Sequence, residues 1–267
     1  MFKTDYHVHI DWNPEKDLVE KMEEYAREAD KWGITGIGFV EHFWNRKFPG
    51  HGKWYIPADV KRMTVLRAAL TKAKLPAGMH GLIGCETEFG KNGTIPMTEE
   101  DIRQMDYVIV PHSHINMIGV VTEQDFTYDP EGCARYMEES FMGVMKHPLA
   151  RYITILAHPF APVGLDDQQD QILSYISDES FRRCARAAKK QGIALEVNSL
   201  TWKDKTEEEL QSSQYIRFYR IAWQEGCSFV FGSDAHGPEQ YQYLPKAMQI
   251  ARESGILRTE ESMHNIP

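Results

Sequence analysis

The stretch FVFGSDAH, residues 229–236, is apolar through Phe231, turns at Gly232 and then offers Ser233, Asp234 and His236. Near the start, TDYHVHI sets His7 and His9 two apart in another β-like run, a spacing that points both imidazoles to one side of a strand. The same ending, a short apolar run that stops on an imidazole or a carboxylate, recurs along the chain. Glu41 and His42 close ITGIGFVEH, Glu86 follows LIGC, His112 and His114 follow DYVIVP, His158 closes ILAH, and Asn198 lies at the end of IALEVNS. Any one such histidine is more often a satisfied core or surface residue than a ligand. Gathered in one place and left unpaired, so many imidazoles and carboxylates would cost desolvation and charge repulsion. A bound divalent cation removes that cost, so the set predicts a metal site.

The elements that must position these residues follow one plan. Leu18, Met22, Tyr25, Ala29 and Trp32, at steps of four and three, predict a helix over 17–32. Asn13 and Pro14 suit its start and Gly33 its end, and an apolar strand follows at once. SFRRCARAAKKQG followed by IALEVNS repeats the plan. A third copy opens at Thr206 and Glu209, a capping box, with a helix expected to run to Glu225 before Gly226 leads into CSFVFGSDAH. Helices alternating with apolar strands predict an α/β fold with a parallel sheet, closed or open. Candidate strands cover 4–9, 34–41, 81–88, 106–111, 152–157, 193–198 and 228–233. In a parallel barrel all C-terminal strand ends meet at one face, so the polar endings are expected to converge on one pocket. Of the eleven histidines, His51, His80, His147 and His264 alone fall outside these endings.

The bulk composition narrows the class. With 267 residues, 42% hydrophobic and 26% charged, the chain suits one barrel domain over 1–267. A net charge of -9 argues against a broad grip on nucleic acid or anionic lipid. No apolar segment reads as a signal peptide or membrane span, so a soluble cytoplasmic protein is expected. Cys85, Cys133, Cys184 and Cys227 stand far apart and are expected to be small buried hydrophobes rather than a zinc ribbon or disulfide framework.

Taken in order, HVH near residue 7, VEH at 40–42, GCE at 84–86, DYVIVPHSH, LAHP at 156–159, LEVNS and GSDAH resemble the PHP (polymerase and histidinol phosphatase) family of metal-dependent phosphoesterases over nearly the whole chain. The resemblance implies a distorted seven-stranded (β/α)7 TIM-like barrel and two or three divalent metal ions. It would give His7, His9, Glu86 and Asp234 to one metal, with Glu86 bridging to a second held by His158 and by His112 or His114. His42 and His236 would belong to a third site. Of the PHSH pair, His112 is favoured because it comes first after the strand. The further histidine that many relatives carry soon after H-x-H is missing here, where Asp11 or Glu41 is the available substitute.

Imidazole and carboxylate ligands together suit Zn, Mn or Fe. A bridging carboxylate such as Glu86 would hold two metals at the spacing used for in-line displacement at phosphorus, with a water between them as nucleophile. Lowering that water's pKa from about 16 to about 7 makes hydroxide roughly 12 kcal/mol easier to form. One charge-assisted hydrogen bond to phosphate contributes only about 1.5–3 kcal/mol. Metals thus dominate the rate, and basic side chains select the substrate. Glu86, Asp234 and His236 are the expected catalytic set. Arg46, Lys47 and Lys53, among Phe43, Trp44, Trp54 and Tyr55, form a loop expected to overhang the pocket and suit a phosphate plus a flat organic group. Asn198, Trp202 and Lys203 are the other expected substrate contacts; Trp202 and Lys203 stand where histidinol-phosphatase relatives tend to carry an arginine. The expected function is a phosphomonoesterase acting on a small phosphorylated metabolite. The alternatives are a phosphodiesterase or nuclease of the same family, or an amidohydrolase acting on amides or lactones. The last is weakened because VIVPHSH lacks the lysine that many amidohydrolases carry at the fourth strand end.

Overall fold

The computed structural model describes residues 2–10, 17–52, 55–58, 60–123 and 126–257. Among them the strands are β1 (Thr4–His9), β2 (Gly36–Val40), β3 (Phe43–Asn45), β4 (Ile56–Ala58), β5 (His80–Glu86), β6 (Tyr107–Pro111), β7 (Ile155–Ala157), β8 (Ala194–Asn198) and β9 (Phe229–Gly232). Seven close a barrel in the order β1-β2-β5-β6-β7-β8-β9, every pair parallel, and β3 pairs with β4 outside it. The seven expected strands are these seven, most of them trimmed at their ends; β7 is the shortest because Ala150–Tyr152 form a 3₁₀ turn where a strand start was expected.

Side chains alternate across each strand, and the apolar ones sort into two layers. Tyr6, Tyr107, Ile109, Ile155, Ala157, Ala194 and Val230 form a small cluster inside the barrel. Their strand neighbours Val108, Val110, Leu156, Leu195, Phe229 and Phe231 belong to the larger cluster under the helices. Tyr107 donates to the Tyr6 carbonyl at 2.6 Å. A Cβ at Gly84 would overlap its ring, which explains a glycine there. One irregularity bears on the site. Between Asp5 and Val8, β1 carries one residue more than β2, a bulge that re-aims the strand. Tyr6 therefore stays in the inner cluster while His7 and His9 occupy the mouth above it.

At the barrel seam a single register pair, Asp5↔Phe231, joins β1 to β9, and a bridge from Val8 to Ala235 extends the pairing past the end of β9. The Asp5 side chain reinforces it. Its Oδ1 accepts from the Ser233 N–H at 2.9 Å and the His7 N–H at 3.1 Å, and Oδ2 accepts from the Tyr241 hydroxyl at 2.8 Å. Burial pushes this carboxyl up to about 6.

The expected start of the first helix, Asn13 and Pro14, lies outside the described residues; the helix itself runs Leu18–Lys31, capped by Asp17, which accepts from the Val19 N–H at 2.8 Å. The helix expected from Thr206 to Glu225 is two. Glu207–Ser212 begins with the capping box, and Gln214–Glu225 starts afresh at Ser213. Ser213 has extended ψ of 140°, donates to Asp170 Oδ1 at 2.7 Å and accepts from the Tyr215 N–H. That cap serves the second helix better than continuation would serve the first. All four cysteines are buried and free. No helix among the described residues is long and apolar enough to cross a membrane.

Candidate metal centre

Because every barrel strand runs the same way, the C-terminal tips share one mouth. Glu86 sits at its centre. Its Oε1 faces His7 Nε2 and His158 Nε2, each at 3.6 Å, and its Oε2 faces His42 Nε2 at 3.3 Å and His9 Nε2 at 3.5 Å. Asp234 Oδ1 lies 3.2 Å from His9 Nε2 and 3.5 Å from His7 Nε2. The His9 ring lies against those of His42 and His236, both centroids at 4.1 Å, and those two rings are 5.7 Å from each other. Three groups bring their donor atoms within 4.8 Å of one another: His7, His9 and Asp234; Glu86, His114 and His158; and His9, His42 and His236.

These residues fit divalent cations. His7 Nδ1 is bonded to Glu196 Oε1 at 2.7 Å, which leaves Nε2 only 3.0 Å from His9 Nε2, ring nitrogen against ring nitrogen. Glu86 Oε1 and His9 Nδ1 are buried without a hydrogen-bond partner. Nitrogens at 3.3–3.6 Å from carboxylate oxygens are beyond good hydrogen-bond length and are placed as ligands around shared cations would be. Without a cation the charges are lopsided. Burial works against a proton on His7, yet Glu196, Asp234 and Glu86 outweigh it and hold its pKa well above the usual value. Burial, with His42 next, drives His9 down to about 3. Burial opposes the charge on Glu86 and on Asp234 as well, but His7 and the other imidazoles hold both well below the carboxylate range.

The backbone at the mouth is unusual. Among the described residues the non-glycine positions with positive φ are His158 (25°), Phe160 (62°) and Asp234 (58°), conformations that cost about 1–3 kcal/mol each and persist where surroundings impose them. The Asp234 N–H donates to the His7 carbonyl at 2.7 Å, and the His158 N–H donates to Glu196 Oε2 at 2.7 Å.

Of the residues expected at the site, the structure brings together His7, His9, His42, Glu86, His114, His158, Asp234 and His236. The preference for His112 over His114 is corrected. His112 Nδ1 bonds the Met137 carbonyl at 3.1 Å, and its Nε2 accepts from the Phe160 N–H at 3.0 Å. With both nitrogens taken, its ring, packed on Phe141 and Phe160, braces the strained turn that carries His158. His112→Ala should therefore lower the stability of the metal-free protein by about 3 kcal/mol, from lost packing and two orphaned buried groups. His114→Ala should lower metal content and, by leaving Glu88 buried without its imidazole, should cost the metal-free protein a comparable amount. Urea midpoints of the chelated variants beside elemental analysis of the loaded ones check this, and equal metal loss in both would reverse the assignment.

Three substrate contacts are also corrected. Trp202 is buried in the core, its ring 4.2 Å from that of Tyr215. Asn198 is buried, with Oδ1 accepting from the Thr201 N–H and hydroxyl and Nδ2 donating to Glu196 and Asp234. It has no capacity left for a substrate. Arg46 is exposed on the turn after β3 and does not line the cavity at the cluster. Of the aromatics expected beside it, Phe43 belongs to the main core, and Trp44 and Tyr55 pack with Met117 and Val121. Asp11, Lys53, Trp54 and His264 lie outside the described residues. Glu41 is paired with Arg62. Lys203 does not line the cavity at the cluster but borders one that adjoins it. His42, Glu86, His114, His158, Asp234 and His236 line a cavity of about 450 Å³ with Val163 and Thr201. Val163, Thr201 and Asp234 also border a second cavity of about 580 Å³ that reaches Lys203 and Lys205.

Two buried carboxylates carry no role in the sequence reading. Glu88 accepts from Tyr55 at 2.8 Å and bonds His114 Nδ1 at 2.6 Å; burial would lower the pKa of that imidazole, but Glu88 raises it to about 9. Glu196 bonds His7. The available signal was spacing: Glu88 is two beyond Glu86 and Glu196 two before Asn198, so alternation puts each on the face of a site residue.

Fold and site together define a closed parallel β/α barrel with a histidine–carboxylate cluster at its C-terminal mouth, a set of side chains able to hold metal ions. The fold is shared with a Listeria monocytogenes protein provisionally designated the histidinol phosphatase hisK, at 17% identity over 90% of this chain and 99% of that one, with a TM-score of 0.59. Weaker likenesses are an uncharacterized protein (10% identity, 95% and 71% covered, TM-score 0.49) and a D-hydantoinase from Thermus sp. (13%, 86% and 45%, TM-score 0.42). No protein-family model matches the chain, and no curated protein does.

Proposed function

We propose that this chain is a metal-dependent phosphoesterase of the PHP type, acting as a phosphomonoesterase on a small phosphorylated metabolite. The observation that carries the reading is Glu86, whose two oxygens each face two imidazoles, the disposition of a carboxylate shared between cations. Zn, Mn or Fe held there, two or three per chain, would polarise phosphoryl oxygens and make a water acidic enough to attack at neutral pH. His7, His9 and Asp234 form one set of ligands, Glu86, His114 and His158 a second, and His42 with His236 and His9 a third group. Asn198 holds Asp234 Oδ2 at 3.3 Å, and Glu88 holds His114. His236, exposed at the mouth, has Nδ1 engaged by the Asp234 carbonyl at 3.0 Å, so Nε2 is its atom for a cation or a substrate proton. The cavity volumes suit a small molecule, and the acidic chain suits nucleic acid poorly.

Lys203 on the adjoining wall is assigned to the substrate's anionic part. Lys203→Ala is expected to raise KM about tenfold, the worth of one charge-assisted hydrogen bond, while kcat changes less; an unchanged KM would remove it from substrate binding. The function itself is tested by assaying the protein, loaded in turn with Mn, Zn and Fe, on phosphomonoesters, phosphodiesters, amides and lactones. Turnover of phosphomonoesters supports the reading. Turnover confined to amides or lactones would replace it with an amidohydrolase-type reaction.

A further inference from the structure

Glu196 lies below the mouth, fully buried on β8, and each hydrogen bond its carboxylate makes leads to a residue of the cluster. Oε1 is 2.7 Å from His7 Nδ1. Oε2 accepts from the His158 backbone N–H at 2.7 Å and from Asn198 Nδ2 at 3.1 Å, and the same Nδ2 reaches Asp234 Oδ2 at 3.3 Å. The Tyr219 hydroxyl donates to its backbone carbonyl and fixes the strand beneath it. On the neighbouring strand β9, Gly232 leaves room for it: a Cβ there would run into Glu196 Oε1 and lie 2.8 Å from His7 Cβ.

The geometry points to Glu196 as a positioning residue that couples two metal positions, since one carboxylate fixes a ligand in each of two groups, His7 beside His9 and Asp234, and His158 beside Glu86 and His114. The inference rests on the reading that these groups hold cations. For His7 the carboxylate sets ring orientation and, by taking Nδ1, directs Nε2 to the cation. For His158 it acts through the backbone. That residue has a φ of 25°, a conformation that relaxes unless its surroundings hold it, and the bond from its N–H to Oε2 adds to the brace that His112 gives the same turn. Glu88 differs, because its carboxylate bonds His114 and Tyr55, which places its influence on one position.

The test compares Glu196→Gln with Glu88→Gln. Each protein is stripped with a chelator, checked for fold by circular dichroism, and titrated with Co²⁺ by calorimetry and visible absorption. Wild type is expected to show at least two binding events. Glu88→Gln should weaken one of them by about 10- to 100-fold, the usual effect of removing a partner of a metal ligand. Glu196→Gln should weaken two by comparable factors, and Gly232→Ala, whose methyl displaces the carboxylate without deleting it, should do the same. Asn198→Ala removes one donor from Oε2 and one from Asp234 Oδ2, so a loss at the position of Asp234 follows directly and its diagnostic result is a smaller loss at the position of His158 as well; it serves where the larger changes do not fold. A folded Glu196→Gln or Asn198→Ala that weakens one event alone, or none, overturns the coupling while leaving the metal reading intact. Wild type that binds no Co²⁺ sinks that reading and the inference with it.

Discussion

Glu86→Gln is expected to reduce phosphoester hydrolysis by a factor on the order of 10³ or more while the barrel remains folded. Removing a single preorganised electrostatic contact to a transition state costs roughly 10²–10³ in rate, and Glu86 does more than make one contact. Both its oxygens are shared among His7, His158, His9 and His42, and its charge balances imidazoles that sit within a few ångströms of each other. The amide keeps the volume and removes the charge. Whatever cations remain would be held by fewer anionic ligands and would no longer be tied together. The check is kcat/KM on the phosphomonoester with the highest turnover, alongside elemental analysis of the same sample. Wild-type turnover in this variant would take Glu86 out of the site.

The second large effect is on pH and stability in the metal-free protein. The buried His114 imidazole has a pKa of about 9 because Glu88 outweighs the effect of burial. A pKa raised on folding stabilises the native state fully below the unfolded value near 6.5, and that stabilisation is lost as pH rises through 9. The amount at stake is about 3 kcal/mol. His7, raised by Glu196, Asp234 and Glu86 against its burial, acts in the same direction. His9 acts oppositely. Its pKa, lowered to about 3, means that the unfolded chain takes up a proton below about 6.5 that the folded chain refuses, so stability is also lost as pH falls toward 3. Chelated protein should therefore show a urea midpoint that declines on both sides of neutrality, and Glu88→Gln should flatten the alkaline limb. Loading with metal should flatten it as well, since ligands that are bound carry no proton to lose. A midpoint constant from pH 6.5 to 9.5 in the chelated wild type would contradict the charged pairing of His114 with Glu88.

Much of this was legible in the chain. The plan of helix, glycine and strand, with Gly192 and Gly226 ending helices in the left-handed conformation at φ of 73° and 77°, marks the parallel strands, and parallel strands put His7, Glu86, His158 and Asp234 at one mouth whatever their separation in sequence. What escaped was decided by contacts between distant segments. His112 and His114 are chemically equivalent in the string PHSH. They part only because Met137 and Phe160 reach His112 while Glu88 reaches His114. Trp202 reads as a loop aromatic near the substrate until the helix carrying Tyr215 packs on it. The break at Ser213 had a local signal, a serine able to cap, but whether it caps or continues a helix depends on Asp170.

The account stands on shared cations at the barrel mouth, and the metal content of the wild-type protein tests that most directly. Dialysed after exposure to Mn²⁺, Zn²⁺ or Fe²⁺ and analysed by elemental mass spectrometry, the folded chain should retain at least two metal ions per molecule with one of them. Retention of less than one, with all three metals and an intact fold, would contradict it.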